Sequence, residues 1–247
     1  MLPNLRQILA LCCLCLSLQA SGREGFALNV AVLDGSPPMS YRDSSGQITG
    51  FSMAIMRALC EEMKASCQFR VVSLDRVLSV LESGECDMAA AALLDTPERR
   101  ARVLLSRPIF RSRSVWFAKP GLAPGNAKAL VAVVRSSAQE RYAEKQGWKT
   151  VSVLSNQLVT PALESGLADA ALVPMPTALG MMMPTSFQKM GLVMQVMDDP
   201  ALGGDASYPV APRRPELKQA LDAAIEHIKR DGRYDRINSE FLPFRVE

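Results

Sequence analysis

The sequence predicts an α/β protein of two similar lobes built on mostly parallel sheets. Three observations lead there. Strand-like and helix-like stretches alternate from Leu28 to Leu94, which calls for crossover units. A Leu-Glu-Ser-Gly frame occurs twice, each time just before an aspartate and an apolar run. The 247 residues, 48% apolar and 21% charged, are enough to bury the cores of two lobes.

The elements follow in order. Residues 28–33 (LNVAVL) form a β-rich run ended by the turn Asp34-Gly35-Ser36-Pro37-Pro38. A polar hairpin-like stretch over 42–47 precedes Gly50-Phe51, after which Met53, Met56, Leu59, Cys60 and Met63 recur at helical steps. Residues 69–72 are the next strand, 74–81 the next helix closed by Gly84, and 88–94 a third apolar run. The frame Leu81-Glu82-Ser83-Gly84, leading to Asp87, is echoed by Leu163-Glu164-Ser165-Gly166, leading to Asp169. Both read as a glycine-capped helix end feeding a strand. Strands at 130–134 and 151–154, with a helix from Ala138 between them, give the second copy its neighbours. Two helices, 215–229 and 234–241, finish the chain.

Several function classes fall away early. A net charge of +3, from 28 basic and 25 acidic residues, gives no reason to expect nucleic acid or an anionic membrane. A single histidine argues against a His-based metal site or a Ser-His-Asp triad, and no glycine-rich phosphate loop occurs, so neither metal nor cofactor is expected. His227 reads as a surface or half-buried position on a late helix. Met181, Met182 and Met183 read as packing filler or an apolar loop. Residues 1–22 have the layout of a secretory signal peptide: Arg6, a short apolar run over 8–18, then Ala20-Ser21-Gly22. Cys12, Cys13 and Cys15 lack the context for lipidation. An exported protein permits a disulfide among Cys60, Cys67 and Cys86, and Cys60 to Cys67 closes a short loop.

Open α/β sheets bind ligands at the carboxyl ends of their strands. Three such junctions stand out: Asp34 to Ser36, Leu94 to Arg99, and Val134 to Ser137. Thr96-Pro97 reads as a helix N-cap with proline following, which sets Arg99 in a first turn where a cation is disfavoured. Either Arg99 grips a ligand carboxylate, or Asp95 and Glu98 neutralise it while Arg99, Arg100 and Arg102 share a solvated face. Ser137-Ala138-Gln139-Glu140 is a capping box. Asp34 either pairs with a ligand ammonium or steadies its own turn.

These residues together resemble the extracellular solute-binding proteins of the polar amino-acid type that feed ABC importers. The markers are Pro37-Pro38, Gly50-Phe51, the Leu81 to Asp87 element, Thr96-Pro97-Glu98-Arg99, and the run from Pro215 through Asp231-Gly232 to Phe241. The resemblance implies a two-lobed periplasmic binding protein fold with a ligand cleft between the lobes. Lobe one would comprise 23–116 plus 208–247 and lobe two 117–207, with crossings near 115–119 and 207–211. It implies a monomer in the periplasm that closes on a small carboxylate-bearing ligand, amino acid or organic acid, and serves an ABC permease. As in the histidine and lysine/arginine/ornithine binders, Cys60 and Cys67 would be bridged, leaving Cys86 a buried hydrophobe.

Arg99 falls on the arginine that clamps the ligand carboxylate, and Leu74, Ser136, Ser137 and Ala138 fall on pocket positions. The chain departs from the pattern elsewhere. Leu94 and Ala92 replace hydroxyl residues, Pro174 stands where an acid holds the ligand ammonium, and Ser36 replaces an aromatic lid. The ligand is therefore expected to be an anion or a less polar carboxylate unless Asp34 supplies the missing charge. Two other functions share the scaffold: a periplasmic sensor or accessory protein outside transport, and a cyclohexadienyl dehydratase-like enzyme.

Overall fold

The computed structural model of the protein describes residues 26–243. The leader expected over 1–22, with Cys12, Cys13 and Cys15, lies outside the described residues. The chain runs through β1 (Ala27–Val32), the short hairpin β2 (Tyr41–Arg42) and β3 (Ile48–Thr49), α1 (Phe51–Glu62), β4 (Ser66–Val71), α2 (Leu74–Ser83), β5 (Met88–Ala90) and β6 (Leu93–Leu94). Then come the short helix α3 (Pro97–Arg100) and the fifteen-residue strand β7 (Leu104–Ala118). The second half holds β8 (Leu130–Val134), α4 (Ala138–Lys145), β9 (Lys149–Val153), α5 (Val159–Glu164), β10 (Ala170–Pro174), α6 (Met175–Met182), α7 (Thr185–Lys189) and β11 (Val193–Val196). The chain returns through β12 (Gly203–Val210) to α8 (Pro215–Arg230) and α9 (Arg233–Phe241).

The strands run β4-β1-β5-β12-β7-β10-β8-β9, with β6 beside β12 and β11 beside β7. β1 pairs β4 and β5 in parallel, and β8 pairs β9 and β10 in parallel, as crossover connections require. β7 and β12 are antiparallel to all their neighbours.

Two lobes result. In the first, Val30, Phe51, Leu59, Met88, Phe110, Tyr208 and Ile225 form one buried core. Phe51 meets Phe110 and Tyr234 edge-on, with centroids 6.0 and 5.9 Å apart, and each such pair adds about 0.5–1.5 kcal/mol beyond simple burial. The opposite face of that sheet buries Val77, Leu81, Cys86 and Ala89, so free Cys86 is the small core residue expected. In the second lobe, Val115, Phe117, Ala132 and Val173 pack on one face, and Trp116, Val131, Leu172 and Leu202 on the other. β7 pairs β12 through Arg113 and then β10 and β11 from Ser114 onward. Val115 to Ala118 already belong to the second lobe's cores, whereas Ala206, Tyr208 and Val210 belong to the first. Core membership thus changes between Phe110 and Val115 on β7 and between Leu202 and Ala206 at β12.

The repeated frame has a repeated structural role. Gly84 and Gly166 both adopt left-handed φ, 82° and 71°, which a side chain would oppose. After each, an aspartate straps its strand to the neighbouring one. The Asp87 carboxylate accepts from the Asn29 N–H at 2.8 Å, and that of Asp169 from the Leu130 N–H at 2.9 Å. Met181 is buried while Met182 and Met183 are exposed at the end of α6, so filler and apolar surface are both present.

Cys60 on α1 and Cys67 on β4 are disulfide-bonded. In the chain-entropy picture a loop of this size contributes about 2–3 kcal/mol. Replacing both cysteines by alanine should lower Tm by roughly 5–10 °C in calorimetry without changing the circular dichroism of the folded protein.

Candidate ligand-binding cleft

A cavity of about 110 Å³ lies between the lobes, at the strand ends where ligands bind in such sheets. Leu33, Ala90 and Leu94 bring the ends of β1, β5 and β6 to it from one lobe. Val134 and Pro174 bring β8 and β10 from the other. Phe110 and Ala206 line it where β7 and β12 pass from lobe to lobe.

Of the residues singled out from the sequence, Ser36, Leu74, Ala92, Leu94, Arg99, Ser137, Ala138 and Pro174 line this one cavity. Asp34 and Ser136 stand outside its lining. Asp34 is held by Arg42 of the β2–β3 hairpin, Nε to Oδ2 at 2.7 Å, and accepts from the Gly35 N–H, so its charge is committed to its own turn. Ser136 has φ 60° and acts through its backbone. Its N–H donates to the Glu140 carboxylate and its carbonyl accepts from Arg141 Nη1 at 2.9 Å. Neither role shows in the residue type, although Arg42 eight positions after Asp34 was a visible partner.

Among the described residues, Arg99 is the one charged residue in the cavity lining. It is only 4% exposed. Thr96 caps α3, accepting from the Arg99 N–H at 3.4 Å, which fixes the backbone that turns the side chain inward. Arg99 Nη1 donates to the Leu94 carbonyl at 2.8 Å. The neighbouring acids form no ion pair with it: Asp95 receives both arms of Arg100, Glu82 receives Arg102, and Glu98 is exposed. No ion pair to Arg99 occurs among the described residues. Burial first, and the charge of Arg141 second, push its pKa down to about 9, against a small opposing pull from Glu98. The folded state thus disfavours this cation relative to the unfolded chain. That cost is fully present below pH 9 and fades as pH rises from there toward the ordinary value.

The second lobe adds neutral polar groups. Ser137 caps α4 as the capping box requires, accepting from the Glu140 N–H at 3.0 Å. Gln139, one residue past the predicted Ala138, is buried and donates to Ser114 Oγ at 2.8 Å. Asn156 and Thr177 also line the cavity. Asn156 links the lobes, its Nδ2 donating to Ser36 Oγ at 2.9 Å, and next to it the Gln157 N–H donates to the Gly35 carbonyl at 2.8 Å. Leu74 packs against hydrophobic cores of both lobes. On the opposite rim Gly180 sits so close that an added Cβ would lie 2.6 Å from the Pro37 carbonyl oxygen.

A buried cation facing a cleft shared by two linked α/β lobes defines a two-lobed solute binder. The chain belongs to the bacterial extracellular solute-binding proteins, family 3, whose family model matches residues 28–244. It is 26% identical over 220 residues to the arginine-binding periplasmic protein of Mannheimia haemolytica, covering 87% of this chain and 92% of that one. Among solved structures it is similar to an ancestral arginine-binding protein bound to arginine, with TM-score 0.78, 23% identity, and 89% and 99% of the two chains covered. It is also similar to an ancestral amino acid-binding protein that is a precursor of cyclohexadienyl dehydratase, with TM-score 0.75, 22% identity, and 89% and 96% covered. Among the described residues no helix is long and apolar enough to cross a membrane.

Replacing an uncompensated buried charge by an apolar side chain is often neutral or stabilising. Arg99→Met without added ligand should therefore keep its Tm or raise it by roughly 2–6 °C at pH 7, the size of a 1–2 kcal/mol gain in a chain of this length. Calorimetry of the two proteins side by side checks this.

Proposed function

We propose that the protein is a periplasmic receptor that captures a small carboxylate-bearing solute between its lobes and delivers it to an ABC importer. The observation that carries this reading is Arg99: buried, free of any acidic partner among the described residues, and part of the wall of a cleft that both lobes line. A ligand carboxylate would meet its remaining N–H donors in the two-pronged geometry that guanidinium favours. The relatives named for arginine binding support capture of an amino acid-sized solute.

In this reading lobe one comprises 26–110 and 206–243, lobe two comprises 114–202, and the segments 111–113 and 203–205 are the hinge. Ligand bridging both lobes favours the closed form because only that form engages both walls at once. Ser36, Leu74, Ala92, Leu94, Ser137, Ala138 and Pro174 shape the site around the Arg99 clamp, with Gln139, Asn156 and Thr177 added from the second lobe. The protein acts as a monomer and binds its solute without turning it over.

A thermal-shift screen of small carboxylates against their methyl esters tests the capture. A binding carboxylate at a hundred times its Kd should stabilise by about 2.7 kcal/mol, or roughly 5–10 °C, and the matching ester should not. Incubation with prephenate or arogenate should yield no product by chromatography, and sustained turnover would replace capture by catalysis.

Gly180→Ala tests closure separately. Its methyl group would drive the rim away from Pro37 while suiting α6, so unliganded stability should hold. Ligand affinity should fall about tenfold, equivalent to 1.4 kcal/mol, in titration calorimetry. Small-angle scattering with saturating ligand should show a more open shape than wild type.

A further inference from the structure

We infer that the solute is a small monocarboxylate with an apolar chain and no amino group, such as a 2-oxo acid, and not an α-amino acid. This rests on the capture proposed above and names the chemical class it selects.

The inference comes from accounting for charge around the cavity. A zwitterionic ligand brings a carboxylate, which Arg99 can meet, and an ammonium, which needs an anionic counterpart when desolvated. Among the described residues, no aspartate or glutamate lies in the cavity lining. The nearby acids are spent. Asp34 is tied to Arg42, Asp95 to Arg100, and Glu140 holds the Ser136 N–H and the Ser152 hydroxyl. At the end of β10 the chain offers Pro174, whose side chain has no acceptor. Arg141, whose charge already acts on Arg99, adds a second positive group to the same region.

Neutral acceptors do not repair this. Asn156 Oδ1 is buried without a hydrogen-bond partner. It could accept from a ligand hydroxyl or N–H, but an amide oxygen does not cancel a full charge. An oxo group instead finds donors suited to it in the hydroxyls of Ser137 and Thr177. Most of the remaining wall is apolar, Leu33, Leu74, Ala90, Phe110 and Leu172 among it, and of its other polar residues Ser36, Ser40, Ser112 and Gln139 are hydrogen-bonded within the protein. The volume of about 110 Å³ is well below the roughly 300–1,000 Å³ of pockets that take drug-sized molecules, so the chain must be short.

The experiment is titration calorimetry of the purified secreted protein with matched pairs. They are L-leucine and 4-methyl-2-oxopentanoate, L-valine and 3-methyl-2-oxobutanoate, and L-phenylalanine and phenylpyruvate, with L-arginine and L-lysine alongside. In at least one pair the oxo acid should bind ten times or more tighter than its amino acid, and Arg99→Met should weaken that binding at least a hundredfold. Pro174→Asp, which places a carboxylate on the wall at a helix N-cap where aspartate is favoured, should shift the oxo-to-amino ratio at least tenfold toward the amino acid. An amino acid binding the wild type as tightly as its oxo partner, or L-arginine or L-lysine binding tighter than every oxo acid, would overturn the class and leave capture standing. Failure of every compound to bind folded protein with an unchanged Tm would overturn capture itself.

Discussion

Everything in this molecule hangs on the pairing of β7 with β12. These strands continue the first lobe's sheet and then, past register shifts on either side of Ser207, reach the second lobe. The first part of β7 buries Ile109 and Phe110 in one core, and its last part buries Val115 and Phe117 in another. Between them Arg111, Ser112 and Arg113 pair with Asp205, Gly204 and Gly203, the segment where neither core claims the backbone. Two lobes so joined share a cleft, one wall built from the first part of the chain and its return through β12, the other from the middle of the chain. The cavity, the clamp and the rim contacts are all consequences of where that ladder changes owner.

The cleft trades stability for recognition. The Arg99 guanidinium is desolvated, feels a second guanidinium and, among the described residues, donates to a single carbonyl, that of Leu94. A fold optimised only to persist would place an apolar residue there. Around it, Asp95 and Glu82 are each drawn to another arginine, and Glu98 is exposed. The pattern is economical, because a counter-ion built into the wall would compete with any anionic solute for the same guanidinium. Selectivity then depends on what the wall lacks as much as on what it supplies.

Much of the fold could be read in the sequence because its apolar periodicity and glycine caps act locally. The helix after Gly50, the strand–turn at Asp34 and the terminal helices all rest on such signals. The duplicated Leu-Glu-Ser-Gly frame was informative for a physical reason: Asp87 and Asp169 perform the same strap in the two lobes. The apolar run 88–94 was read as one stretch, but it splits into β5 and β6, which pair with different strands. β7 was hidden by its composition, since Arg107, Arg111 and Arg113 alternate with buried residues and Pro108 interrupts them. In the site, Arg99 was legible as a cation in an unfavourable place. Gln139, Asn156 and Thr177 were not, because neutral polar residues gain meaning only when the second lobe brings them opposite the first. Asp34 shows the converse, a charge at a strand end that a neighbouring hairpin has already claimed.

Leu74 touches apolar clusters in both halves of the molecule. Whenever the halves part, this side chain surrenders one of those surroundings to water, so the gaping motion carries a positive heat-capacity change of its own. Hydration of such surface grows less costly on cooling. If the proposed opening takes place, chilled protein spends more time ajar, an effect of this leucine that the chemistry of the solute does not explain.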